Sequence, residues 1–300
     1  YRFVFAFAGQ LIVSGTALSL ALFLGKGDQA KGFQYTLILF AVISFILFMI
    51  TFRTTRERVA PPKEQTADLK QDLKNLLKNR PWMILFFVGI ISFVMFALQN
   101  LSVAYYFKYY VGNAEQVQLF NVIGTIALII AIPLSKPLSK RFGKKTVYLS
   151  SSLLSGIFFI LLYIPGPENI GTIFTLNILA KMAYAPAVPL LWTMLGDSAD
   201  YSEWKDGRRA TGLVFSAATF AQKAGWGIGG ALAGWLLALF QFEANVEQTE
   251  TALTGIKLMI SVVPGILYMS CAILLIFYNI DQSTCIQMQE ELDQRRDASE

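Results

Sequence analysis

Apolar runs of bilayer length, separated by short charged stretches, constrain this chain more than any other feature. A helix of about 20 apolar residues satisfies its own backbone hydrogen bonds and can face lipid tails on every side. Reading between charges gives eight such runs, at 3–24, 33–52, 83–107, 117–138, 146–165, 171–196, 209–240 and 255–280. The seventh exceeds a perpendicular crossing and is expected to tilt or to extend beyond the membrane. Barrel strands would alternate apolar and polar residues over roughly ten positions, and these runs are uniformly apolar. The expected fold is therefore all-α and polytopic. Charge agrees: 15% of the residues are charged, against about 25% in an average soluble domain.

The loops alternate in sign. Residues 53–82 hold eight Lys and Arg residues, and 136–145 hold Lys136, Lys140, Arg141, Lys144 and Lys145. The loop at 241–251 has Glu243, Glu247 and Glu250, and 165–171 has only Glu168. The positive-inside rule then places 53–82, 136–145, 197–209 and both chain ends in the cytoplasm. Within the long loop, Leu69, Leu73, Leu76 and Leu77 share one face of a helix expected over Thr66 to Asn79, lying on the membrane surface or across the bundle. The expected organisation is 1–52 as two helices ending one bundle, 53–82 as a middle loop, 83–280 as a six-helix bundle and 281–300 as a tail. Tyr1 already lies in an apolar run with no charged segment before it, so that run is not read as a signal peptide. The chain is expected to be a piece of a longer one.

Several functions are poorly served by these residues. Without a histidine, no imidazole base or metal–histidine site is available. Cys271 and Cys285 are far from any CxxC spacing and read as free thiols. The net charge of +5 sits beside apolar runs, which suits membrane topology and not nucleic acid. GxSxG and HExxH are missing, which leaves hydrolytic or metal catalysis without support. No filter loop or charged ring suggests a channel.

A charge at mid-membrane is a functional candidate because burying it costs several kcal/mol. Lys223 is the clearest case, about 20 Å along its helix, with Thr219 and Gln222 on or beside the same face. An ammonium with two neutral hydrogen-bonding groups suits a hydroxyl-rich ligand. The bland alternative is a snorkelling or carboxylate-paired lysine. Lys181, with Asn177 and Tyr184, either lines a cavity or neutralises an acidic partner. Gln99, Asn100 and Asn121 are weaker candidates, and Arg2 lies near the end of its span. At the cytoplasmic end, Asp197 and Asp200 at i, i+3 face Arg208 and Arg209, either as a gate or as a solvated loop. Gly225, Gly227, Gly229, Gly230 and Gly234 form a stripe suited to helix packing. Pro186, Pro189 and Pro264 interrupt spans.

From Asp197 to Gly234 the chain resembles the glycoside–pentoside–hexuronide:cation symporters, the melibiose-permease branch of the major facilitator superfamily. The shared pattern is Asp-x-x-Asp-Tyr, an Arg-containing loop, then a helix with Lys-Ala-Gly and a glycine stripe. Pro137 to Lys145 resembles the superfamily's repeated basic loop, with Pro137 and Lys140 replacing its glycine and aspartate. The resemblance implies two six-helix halves, of which this chain carries the last two helices of the first and all of the second. It further implies sugar contacts at Lys223, Thr219, Gln222 and Arg2, with Trp192 one turn from the position, Val188, where the permease has a tryptophan. Ala218 stands in place of a glutamine, so the substrate is expected to differ. Arg141 is expected to pair with Asp197 and Asp200, and Arg209 to join that gate. The cation-site carboxylates are expected in helices upstream of this chain.

The implied function is symport of a sugar with Na+ or H+ by alternating access, in the bacterial inner membrane. The implied partners are the sugar, the coupling cation and membrane lipid, with no cofactor, metal or nucleic acid. A lysolipid carrier of the same fold is the alternative.

Overall fold

The computed structural model describes residues 2–55, 69–208 and 210–297. Among them the regular structure is helical throughout. Five helical segments are long and apolar enough to cross a membrane: Ala30–Thr54, Arg80–Val111, Gln116–Phe142, Ile170–Asp206 and Glu250–Ile276. The pair Phe3–Ala17 and Ser19–Gly25 makes a sixth if counted as one bent span. The other two expected spans are present as helices of Lys144–Leu161 and Thr211–Leu239. Their polarity separates them from the rest: the first is serine-rich and begins with two lysines, and the second carries Gln222, Lys223 and the glycine stripe.

The chain divides into two compact units, Tyr1–Ala67 and Asp68–Glu300. In the first, α1 (Arg2–Gly25) turns back into α2 (Gln29–Thr54). Asp28 caps α2 by accepting from the Lys31 amide at 3.1 Å, and this bond with the Lys31 ammonium holds its carboxyl below the usual range. A Cβ on Gly32 would overlap the Ala21 carbonyl, so glycine is what lets these two helices touch. Phe45, Phe48 and Phe52 are among many large apolar side chains exposed along α2, which fits a helix solvated by lipid.

The second unit opens with α3 (Leu69–Lys78), the described part of the helix expected over Thr66 to Asn79, whose first residues lie outside the described segment. Asn79 then caps α4 (Arg80–Tyr105), accepting from the Trp82 amide at 3.0 Å. α4 runs on as a π-helical turn, Tyr106–Val111, which Gly112 ends at φ 75°. Next come α5 (Gln116–Ala131), a 3₁₀ turn at Ile132–Leu134 containing Pro133, α6 (Ser135–Phe142) and α7 (Lys144–Leu161). The fourth crossing of this unit breaks at Pro186 into α8 (Ile170–Tyr184) and α9 (Ala187–Asp206). α10 (Thr211–Leu239) follows, and the last crossing breaks at Ser261 into α11 (Glu250–Ile260) and α12 (Val262–Ile276). That break lies just before Pro264, whose missing N–H interrupts the helical ladder. Pro189 sits instead inside the first turn of α9, where no donor is required. A tail helix, α13 (Gln282–Asp297), completes the unit.

Lipid offers helices no hydrophobic drive to associate, so close contact depends on small residues. α10 lies against α4, where a Cβ on Gly225 would come within 2.6 Å of the Phe93 Cβ, and one on Gly229 within 2.6 Å of both the Ala97 Cβ and the Val94 carbonyl. Gly227, Gly230 and Gly234 meet nothing within 4 Å. Only part of the glycine stripe is thus a packing surface. α7 and α12 meet in the same way at Gly156 and Gly265. Gly229→Ala should destabilise the unit by about 1–3 kcal/mol through overpacking, whereas Gly230→Ala should be neutral or slightly stabilising. Thermal unfolding of the two variants in detergent measures the contrast.

Candidate functional site

Two polar regions stand out, one along α10 and one at the charged helix ends. Because Gly225 and Gly229 fix one face of α10 on α4, the opposite face follows from about 100° of turn per residue. It carries Ser216, Thr219, Lys223, Gly227, Gly230 and Gly234, all exposed except half-buried Gly230. Exposed Phe220 and Trp235 flank it on one side and Trp226 on the other. Gln222 is half-buried at the edge of the packing face. The Thr219 hydroxyl donates to the Phe215 carbonyl at 2.9 Å, which leaves its lone pairs open. Trp192, on α9, stacks parallel to Phe215 of α10 with centroids 6.5 Å apart. Lys223, Thr219, Gln222 and Trp192 therefore lie on neighbouring elements of one unit. Arg2 begins α1 in the other unit, and its side chain is outside the described residues.

Lys181 lies inside the bundle. Its ammonium donates to Gln99 Oε1 at 3.0 Å and sits 5.9 Å from the ring centres of both Phe96 and Phe159. No carboxylate among the described residues pairs with it; an amide and two π-faces replace the acidic partner that sequence left open. Asn177 donates to the Phe120 carbonyl at 3.2 Å, and Tyr184 donates to Ser92 Oγ at 3.3 Å. These bonds tie α8 to α4 and α5. Asn100 bonds back to Phe96 within its own helix.

At the helix ends the ion pairs differ from expectation. Asp197 is held by Lys144, whose ammonium lies 2.7 Å from both carboxylate oxygens. Arg141, expected in that place, is exposed and rests over the Phe142 ring at 5.1 Å. The reason is local. Gly143 turns the chain at φ 82°, so Arg141 ends α6 while Lys144 starts α7 on the side facing α9. Arg208 pairs with Asp72 of α3 at 2.9 Å. Asp200 is half-buried on α9, and Arg209 lies outside the described residues. Asn79 adds bonds to the Ser198 carbonyl at 2.8 Å and to Ser202 Oγ at 2.7 Å.

The tail helix packs against the same region. Trp204 Nε1 donates to Glu291 at 2.6 Å, and Arg295 donates to the Trp204 carbonyl at 3.1 Å. The Thr284 amide and Ser283 hydroxyl bond Asp281 and hold its carboxyl down at about 2. Burial, with the Asp197 carboxylate beside it, pushes the Cys285 thiol up to about 11. The sequence reading missed Lys144, Asp72 and Glu291 as partners. Lys144 was visible as a basic loop residue, but which basic residue faces Asp197 depends on the turn at Gly143.

A polytopic helical membrane protein with a polar stripe and ion-paired helix ends is the class these features define. The family model described as MFS/sugar transport protein matches residues 1–282, and the chain belongs to that family. It is 32% identical over 299 residues to the candidate glycoside/cation symporter YagG of Escherichia coli (strain K12), covering 99% of this chain and 65% of that protein. It is 32% identical over 278 residues to the isoprimeverose transporter of Lactiplantibacillus pentosus, covering 91% and 58%. The inner membrane symporter YicJ of Escherichia coli is 28% identical over 298 residues, covering 98% and 64%. The chain thus spans less than two thirds of the length of these relatives. The resemblance read at Asp197–Gly234 agrees with their names.

In a double-mutant cycle of Lys144→Met and Asp197→Asn, the pair should couple by about 1–3 kcal/mol, as a charge-assisted bond that is partly exposed. Chemical unfolding in detergent reads that coupling.

Proposed function

We propose that this chain is the sugar-binding and gating part of a secondary transporter that moves a sugar with Na+ or H+ by alternating access. The observation that carries this reading is the face of α10 turned away from α4. Lys223 lies about 18 Å from the start of that helix and about 24 Å from its end, near mid-membrane. An ammonium, a threonine hydroxyl and bare glycine backbone are costly against lipid tails and inexpensive against a wet cavity. Lys223 and Thr219 would hydrogen-bond sugar hydroxyls, with Gln222 beside them and Trp192 offering a ring face. Glycines along the stripe leave room for a ring to approach the backbone. This polar, donor-rich face favours a sugar over an amphiphile.

The ion-paired helix ends form the gate in this reading. Asp197 and Asp200, with Lys144, Arg141 and Arg209, would exchange partners as the two bundles rock about the sugar. The basic loops support a cytoplasmic position for that side and for both chain ends. Coupling carboxylates would come from helices outside this chain. The 1–52 segment would close the first bundle and 83–280 would form the second.

Uptake of radiolabelled glycosides, pentosides and uronides by the full-length gene product, under sodium or proton gradients, tests the reading. Lys223→Ala should lower uptake by roughly a hundredfold, the loss expected when a charged hydrogen bond is removed and the sugar hydroxyl it served is left unpaired. Normal uptake by that variant would remove Lys223 from the site.

A further inference from the structure

A second cavity, separate from the α10 face, opens at the charged helix ends. It has a volume of about 330 Å³ and lies among α6, α7, α9 and the segment leading into α13, a size suited to a small metabolite. Lys136 and Lys140, one helical turn apart on α6, line it. Neither forms an ion pair among the described residues. The other charged groups on the lining are already engaged. Lys144 and Asp197 neutralise each other, and Asp281 accepts from Ser283 and Thr284 at 2.8 Å each. Asp281 keeps its own charge, so the two free ammonium groups leave the lining with one net positive charge.

Two further features point the same way. Gly143 lies on the lining at the N-terminus of the 18-residue helix α7, which no side chain caps. Such an end presents backbone N–H groups and partial positive charge to an anion. Tyr278 also lines the cavity; it is 1% exposed and its hydroxyl has no hydrogen-bond partner. A buried phenol left unpaired is costly, and a bound acceptor would satisfy it. Two free ammonium groups, an uncapped helix start and an orphaned O–H together call for a compact acceptor of multiple hydrogen bonds.

We propose that this cavity binds a phosphate group carried by a small ligand, with Lys136 and Lys140 supplying charge and Tyr278 supplying a directed hydrogen bond. Phosphate combines the charge and the number of acceptor oxygens that these donors require. The ligand is a phosphorylated sugar-sized metabolite or the headgroup of an anionic lipid, since the site opens on the lysine-rich side of the bundle. Binding there would act beside the Lys144–Asp197 pair and so would bias the gate. The site is independent of the identity of the transported sugar.

Calorimetric titration of the purified full-length protein in neutral detergent tests the proposal. The probes are glucose 6-phosphate, inorganic phosphate and dihexanoyl phosphatidylglycerol, with glucose as the uncharged control. One saturable site is expected for a phosphate probe, weakened roughly tenfold or more in Lys136→Gln/Lys140→Gln. Both lysines are exposed, so that variant should fold normally. Tyr278→Phe should weaken binding about fivefold, one hydrogen bond's worth. Lys223→Ala should bind as the parent does, which separates this site from the sugar site. Tighter binding of glucose 6-phosphate than of the lipid identifies a metabolite, and the reverse order identifies a headgroup. The proposal is overturned by undiminished binding in the double-lysine variant, by glucose binding as well as its phosphate to the Lys223→Ala variant, or by no saturable heat with any phosphate probe.

Discussion

In a hydrocarbon medium every backbone N–H and C=O must find its partner within the protein, and the rest of this structure depends on that constraint. It makes helices the only element among the described residues, and it turns each interruption into a place that needs an explanation. The break at Ser261 and the one at Pro186 both occur where a proline removes a donor or strains the preceding turn. The π-helical turn at Tyr106–Val111 ends on Gly112, which accepts a positive φ that other residues resist. Buried aromatic rings close around these breaks: Tyr106 against Phe107, and Tyr268 against both Phe159 and Tyr184.

Once helices exist, lipid does little to press them together, so packing rests on shape and on hydrogen bonds. Glycine supplies the shape at Gly225, Gly229, Gly156 and Gly265. Serine supplies the bonds, as when Ser155 of α7 donates to the Ala180 carbonyl of α8 at 3.0 Å. This accounts for the low hydropathy of α7 and α10. Their polar and small residues are spent on neighbouring helices or on a face turned away from the packing contact. The same logic separates the two deep lysines. Lys181 is absorbed into the bundle by Gln99 and two rings, while Lys223 projects from the open face of α10.

At the helix ends water replaces lipid and charge takes over from shape. The contacts of α3, α9 and α13 all converge there: Arg208 on Asp72, Asn79 on Ser202, and Trp204 on Glu291. In the proposed cycle, an element that moves must exchange such bonds without leaving charges stranded, and partly hydrated pairs permit that at low cost. The metabolite-sized cavity beside the Lys144–Asp197 pair is where the proposed phosphate ligand would weight one arrangement over another.

The helical class and the positions of the long apolar helices were legible in the sequence, because run length is a local property. The family signature was legible too, since Asp197 to Gly234 carries it in one continuous stretch. Partner choice was not. Lys144 and Arg141 are both basic and three residues apart, and only the turn at Gly143 decides which one reaches Asp197. Nor did five glycines reveal that Gly225 and Gly229 face α4 while Gly227, Gly230 and Gly234 face away. The sequence by itself determined where the long apolar helices lie and which polar residues interrupt them. The tertiary structure alone decided which of them meet, because helix rotation and close approach are set by neighbours far apart in the chain.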